Sequence, residues 1–249
     1  ADRITTLMRN ENYRFEDFLI LVSQAEIYED IIPVVFEKYG INYFIDTKVS
    51  FALKPFIRFF SAILEILAYG FSYERITTYL KAGYLPLSQR ECDIFENYLL
   101  AAGLSDRHYQ SEKPFSFNPD KRLFNLEKIN RIKRRVTDPL VELSRLEGKK
   151  NVKKISKAVL ALLSQYKIKE RFQKNIDTFL KQGKTEEARE TETVWNTLMT
   201  VIAQTDDLFG DMPITFKKYY EIFSSAISDI KIGAVPPLIN QVIISETEN

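Results

Sequence analysis

The sequence predicts a mainly α fold: a multi-helix insertion domain on a small α/β base formed by the strand segments near both termini. Three observations predict it. Apolar runs of strand type occur only at residues 17–22, 41–46 and 241–245. Between residues 47 and 233 the apolar positions instead recur at the three- and four-residue spacing of helices. The 249 residues are 45% hydrophobic and 28% charged, the balance of a folded globular chain and not of a disordered one.

Taken in order, residues 4–10 read as the end of a helix. Asp17-Phe18-Leu19-Ile20-Leu21-Val22 is an apolar run of the kind a buried strand shows, and an amphipathic helix follows from Glu26 to Tyr39. Gly40 stops that helix, and Ile41 to Asp46 reads as a second strand, giving a βαβ-like unit of a parallel sheet. The third strand, Gln241 to Ser245, follows a stiff connector with Gly233, Pro236 and Pro237. Three short strands at opposite ends of a chain make a stable sheet only if they meet or pack on helices. The base is therefore assigned to residues 1–50 and 235–249, and the helical domain to 51–234.

Within the helical domain, Phe51 to Tyr69 is apolar on nearly every side, as a central buried helix must be. Gly70 ends it and Ser72 caps the next helix, Tyr73 to Lys81. A helix from Ser88 to Ala102 stops at Gly103, and residues 104–120, with Pro114 and Pro119, read as the longest loop. Asp138-Pro139 predicts a break and a restart, with Asp138 as the cap. Further helices are expected at Asn151–Tyr166, Ile168–Lys181, Glu186–Gln204 and Thr215–Ile230, with Trp195 as a core residue of the third.

Composition removes several chemistries. One cysteine, Cys92, forms no internal disulfide, and with a single histidine, His108, it cannot build a Cys/His zinc site. No apolar run reaches the roughly 20 residues of a membrane span, so a soluble, cytoplasmic protein without a membrane partner is expected. Gly183-Lys184-Thr185 resembles the tail of a phosphate-binding loop, but Thr178 stands where its first glycine belongs; Gly183 reads as a helix terminator. Glu147-Gly148-Lys149 has the spacing of a nuclease motif without a strand or a partner carboxylate, and Asp206, Asp207 and Asp211 read as turn formers more readily than as Mg²⁺ ligands. Tyr13, Tyr109, Phe115 and Phe117 lie outside clear helices, where they either pin loops to the core or offer stacking faces to single-stranded bases.

Charge is where the sequence speaks. Residues 121–174 hold 17 Lys and Arg against 5 Asp and Glu, a net +12, while residues 1–120 carry −5 and residues 175–249 carry −6. Clustered cations suit a phosphate backbone. Helical spacing sets Lys150, Lys153, Lys154 and Lys157 opposite the stripe of Val152, Ile155, Val159, Leu162 and Leu163. It also places Lys128, Arg131 and Arg135 on one face, away from Ile129, Ile132 and Val136. These seven are the candidate phosphate contacts; catalytic, cofactor and metal residues are expected to be none.

The run Tyr13 to Val22, then Tyr28-Glu29, then Phe36-Glu37-Lys38-Tyr39-Gly40-Ile41-Asn42-Tyr43-Phe44-Ile45-Asp46 resembles the start of the second RecA-like domain (2A) of superfamily 1 UvrD/Rep-type helicases. Tyr79 to Pro86, Ile94 to Gly103 and Val242 to Asn249 narrow the likeness to the B subunits of AddAB-type ATP-dependent helicase/deoxyribonucleases. It covers residues 4–103 and 234–249; residues 104–233 match only in being helical. The resemblance implies a helical 2B insertion on part of domain 2A. ATP and Mg²⁺ chemistry and an iron–sulfur cluster would then lie outside this segment. It further implies DNA and the A subunit of the complex as partners, in recombinational repair of double-strand breaks. Two readings of the basic faces follow: they handle a DNA strand, or they dock an acidic surface of a partner protein.

Overall fold

The computed structural model describes residues 1–46, 48–104, 106–111, 113–146, 150–233 and 240–247. Its contacts form two compact units, one of residues 1–50, 177–190 and 231–249, the other of residues 51–176 and 191–230.

The first unit contains helix α1 (Asp2–Glu11), strand β1 (Leu19–Val22), helix α2 (Ile31–Lys38) and strands β2 (Tyr43–Ile45), β3 (Lys48–Ser50), β4 (Lys231–Gly233) and β5 (Val242–Glu246). The three apolar strands meet in one parallel sheet of order β1-β5-β2. Leu19 stands opposite Ile243 on one side, and Phe44 stands opposite the same residue on the other. The strand–helix–strand at the N-terminus therefore does not place its own strands side by side; the C-terminal strand enters between them. Val242 and Ile244 are fully buried there, against Ile4, Ile32, Phe36 and Ile41. This is what the alternation of a strand covered on one face requires.

The helix expected over Glu26–Tyr39 is shorter, because Pro33 lacks an N–H and its ring clashes with the carbonyl four residues back, so the α-helix starts only two residues before it. A 3₁₀ turn, Ala25–Tyr28, precedes it. The antiparallel pair β3–β4 was not foreseen. Ser50 and Lys231 are register partners in it, at the points where the chain leaves this unit and returns.

The second unit is helical: α3 (Pro55–Tyr69), α4 (Tyr73–Lys81), α5 (Gln89–Ala102), α6 (Asp106–Gln110), α7 (Leu126–Val136), α8 (Asp138–Ser144), α9 (Val152–Gln165), most of α10 (Ile168–Lys181), most of α11 (Thr185–Phe209) and α12 (Phe216–Ser228). Its first and last residues are joined by a hydrogen bond from Phe51 N–H to the Ile230 carbonyl, 2.9 Å. Helix α3 is the centre, with Phe56, Ile57, Phe59, Phe60 and Ile63 buried. Aromatic rings fasten its neighbours to it: Phe59 stacks on Tyr79 of α4 at 5.0 Å and Phe60 meets Phe223 of α12 at 4.9 Å. Trp195 packs against Phe56 and Phe172, as a core position should.

Local capping explains most helix ends. Ser72 and Ser88 accept from the third N–H of α4 and α5, and Glu91 completes a capping box at Ser88. Gly183, at φ +73°, ends α10 with Gly183 N–H on Leu180 and Lys184 N–H on Phe179. Two expectations are corrected. Thr137, not Asp138, stands at the N-cap position of α8, without a side-chain capping hydrogen bond; its hydroxyl donates to the Lys133 carbonyl, and the Asp138 carboxylate accepts from Lys133. Residues 104–120 are not wholly a loop, since α6 lies within them and buries Tyr109. Among the described residues, no helix is long and apolar enough to cross a membrane.

Candidate nucleic-acid interface

Helix α9 begins at Asn151, whose side chain accepts from Lys154 N–H at 2.9 Å. Its apolar stripe is buried as the spacing required, with Val152, Ile155 and Val159 fully enclosed and Leu162 and Leu163 nearly so. Two polar ties fix the helix further. Ser156, itself buried, donates to Asp206 Oδ1 at 2.6 Å and shares a 2.8 Å hydrogen bond with Tyr219 Oη. Burial pushes the Tyr219 phenol up to about 12, so it stays a neutral partner. At the first turn, Lys153 N–H donates to the Gly210 carbonyl and Ile214 N–H to the Lys150 carbonyl. A Cβ on Gly210 would fall 2.3 Å from the Asp206 carbonyl oxygen and 2.5 Å from Lys153 Cε, so only glycine lets the lysine stem lie there.

On the outer face Lys153, Lys154 and Lys157 are exposed at three- and four-residue spacing, and α9 contains no acidic residue. Like charges at this spacing cost a few tenths of a kcal/mol each in an isolated helix. An anion laid along the face removes that repulsion.

The remaining candidates behave differently. Lys150 is half-buried, its ammonium 4.4 Å from the centre of the Phe216 ring. Arg131 pairs with Glu127 one turn back, and Arg135 reaches Glu91 of α5 at 3.0 Å. Glu91 also caps α5, and the Ser88 N–H, ahead of the arginine, holds its carboxyl below the usual carboxylate range. Lys128 is half-buried. Of this second ridge only Arg135 ties α7 to another helix, while Arg131 is exposed with its pair inside α7; the basic ridge with no carboxylate on its own helix is that of α9. The run Lys133-Arg134-Arg135 splits in three: Lys133 is 1% exposed, Arg134 is exposed and Arg135 is paired.

Asp206 and Asp207 lie in α11 and not in a loop, and the described residues hold no group of three His, Cys, Asp or Glu placed for a metal. Glu147-Gly148-Lys149 lies outside the described residues. Cys92 is half-buried, and burial, followed by Asp93 and Glu91, pushes its thiol up, away from a reactive thiolate. His108 is exposed on α6.

No family model matches the sequence. Individual relatives do. A protein of Clostridium botulinum (strain Loch Maree / Type A3), named as the B subunit of an ATP-dependent helicase/deoxyribonuclease, is 32% identical over 255 residues, covering 98% of this chain. A protein of the same name from Clostridium novyi (strain NT) is 31% identical over all of it.

The chain matches a segment of the helicase/deoxyribonuclease B subunits.

A more distant B subunit, from Pelotomaculum thermopropionicum (strain DSM 13744 / JCM 10971 / SI), is 29% identical over 100% of the chain. The chain spans 22% of the length of each of these B subunits. Likeness to them extends through residues 104–233, which the sequence motifs alone had left unmatched.

Proposed function

We propose that this chain is the helical insertion, with part of the α/β base that carries it, of a helicase–nuclease B subunit acting in recombinational repair of DNA double-strand breaks. In this reading the segment is non-catalytic and cytoplasmic. ATP, Mg²⁺ and the iron–sulfur cluster serve parts of the B subunit outside it, and its partners are DNA and the A subunit. Its task is to hold a strand by its phosphates without reading sequence.

The observation that carries the reading is the outer face of α9: three exposed lysines on a helix without a carboxylate, in a stretch with a net charge of +12. Such a face attracts a polyanion through counterion release and orients it along the helix axis.

DNA containing an aldehydic abasic site forms a Schiff base with a nearby lysine amine, which borohydride traps and peptide mass spectrometry locates. Capture at Lys153, Lys154 or Lys157 is expected. Capture confined to lysines elsewhere overturns the assignment. Loss of capture when the A subunit is added, with binding of that partner abolished by K153E/K154E/K157E, makes the face a protein-docking surface instead.

A further inference from the structure

Ser111 and residues 113–117 border a hollow of about 420 Å³ beside the C-terminal half of α5, within the size range of small-molecule sites. Its lining includes Tyr98, Ala102, Phe115 and Phe117 together with Arg107 and Lys113. Phe115 is buried, as a loop anchor should be, but Phe117 two residues later is 59% exposed.

That exposure is held in place. Tyr98 Oη donates to the Phe117 carbonyl at 2.8 Å. Asn130 of α7 both accepts from Phe115 N–H at 2.7 Å and donates to its carbonyl at 3.0 Å. Lys133 Nζ donates to the Ser111 carbonyl at 2.9 Å, and its ammonium lies over the Phe115 ring. These polar clamps fix the backbone, so the segment cannot swing to bury Phe117 without breaking them. A ring presented by a rigid backbone loses little entropy when a flat partner covers it.

We infer that this hollow takes one unstacked base of a single DNA strand, its face on the Phe117 ring and its flanking phosphates on Arg107 and Lys113. Every base has a π-face, so the contact tolerates any sequence. The cations alone would accept backbone; the apolar lining and the exposed ring distinguish a base from a bare phosphate. The inference rests on the strand-handling reading above and deepens it.

The 249-residue chain is titrated against two fluorescent strands of equal length and charge, an oligothymidylate and an oligomer of abasic residues, and anisotropy is read at low salt. Wild type is expected to bind the base-bearing strand about tenfold more tightly. F117A brings that ratio to within about twofold, and F117Y, which keeps the ring, restores it. K153E/K154E/K157E weakens both strands alike. Equal binding of the two strands by wild type, or a preference that survives F117A, overturns the base site and leaves the strand-handling reading standing. Binding of neither strand overturns both. Competition by thymidine monophosphate as effective as that of the strand, per nucleotide, assigns the hollow to free nucleotides and overturns the inference.

Discussion

Lys133, 1% exposed, places its ammonium between the carboxylate of Asp138 and the carbonyl of Ser111, so that one buried charge ties α7 to the start of α8 and to the segment leading to Phe115. Removing either partner has unequal consequences. Asp138→Ala leaves a buried cation short of its counter-charge and is expected to cost about 3–5 kcal/mol in urea unfolding. Lys133→Met keeps the volume and removes the charge. Since Asp138 is partly exposed and water can solvate it, that change costs about 1 kcal/mol or less.

Tyr109 offers a substitution in the opposite direction. Its hydroxyl is buried and meets no hydrogen-bond partner among the described residues, while its ring stacks on Phe71 at 5.8 Å. Tyr109→Phe keeps the stacking and deletes the unsatisfied group, so a gain of about 1 kcal/mol is expected as a raised Tm.

Alkaline pH tests the same burial. Tyr109, Tyr166 and Tyr219 are each pushed up to about 12 by desolvation, and burial also raises Tyr79, which lies fully buried against Tyr166. A phenol that ionises near 10 in the unfolded chain and near 12 in the folded one contributes full stability below pH 10. That contribution is lost as pH rises toward 12, at about 1.4 kcal/mol per pH unit for each group. The tyrosine contribution to unfolding free energy is therefore expected to be constant up to about pH 10 and to fall steeply beyond. Tyr219→Phe should lessen the slope by one group.

Gly210→Ala places a methyl against the Asp206 carbonyl and the Lys153 stem. A stability loss of about 1–3 kcal/mol is expected from the overpacking. Because the Gly210 carbonyl accepts from Lys153 N–H, the substitution should also weaken DNA binding, whereas Gly83→Ala, which costs backbone strain at φ +80° but meets no neighbour within 4 Å, should leave binding as it was.

What the sequence revealed and what it concealed separate by range. Caps act within three residues, so the end of α10 was legible from Gly183 and the starts of α4 and α5 from Ser72 and Ser88. The apolar runs of β1, β2 and β5 were legible, as was the need for them to meet. Strands β3 and β4 were not, since Lys48-Val49-Ser50 and Lys231-Ile232-Gly233 are three residues each, too short to show alternation. Helix α6 spans five residues, too few for a periodic stripe. The basic face of α9 was visible because its lysines share one helix. The burial of Lys133 was not legible because one of its partners, Ser111, lies 22 residues away. Arg135 looked free because Glu91 lies 44 residues away, and no spacing rule reaches either.

Salt dependence of DNA binding tests the central claim most directly. With the 249-residue chain and a fluorescent single strand, phosphate contacts from Lys153, Lys154 and Lys157 are expected to contribute about −2 to the slope of log Kobs against log salt. K153E/K154E/K157E should make the slope shallower by about that amount. No binding by wild type at low salt, or the same slope in the variant, would contradict a phosphate track on α9.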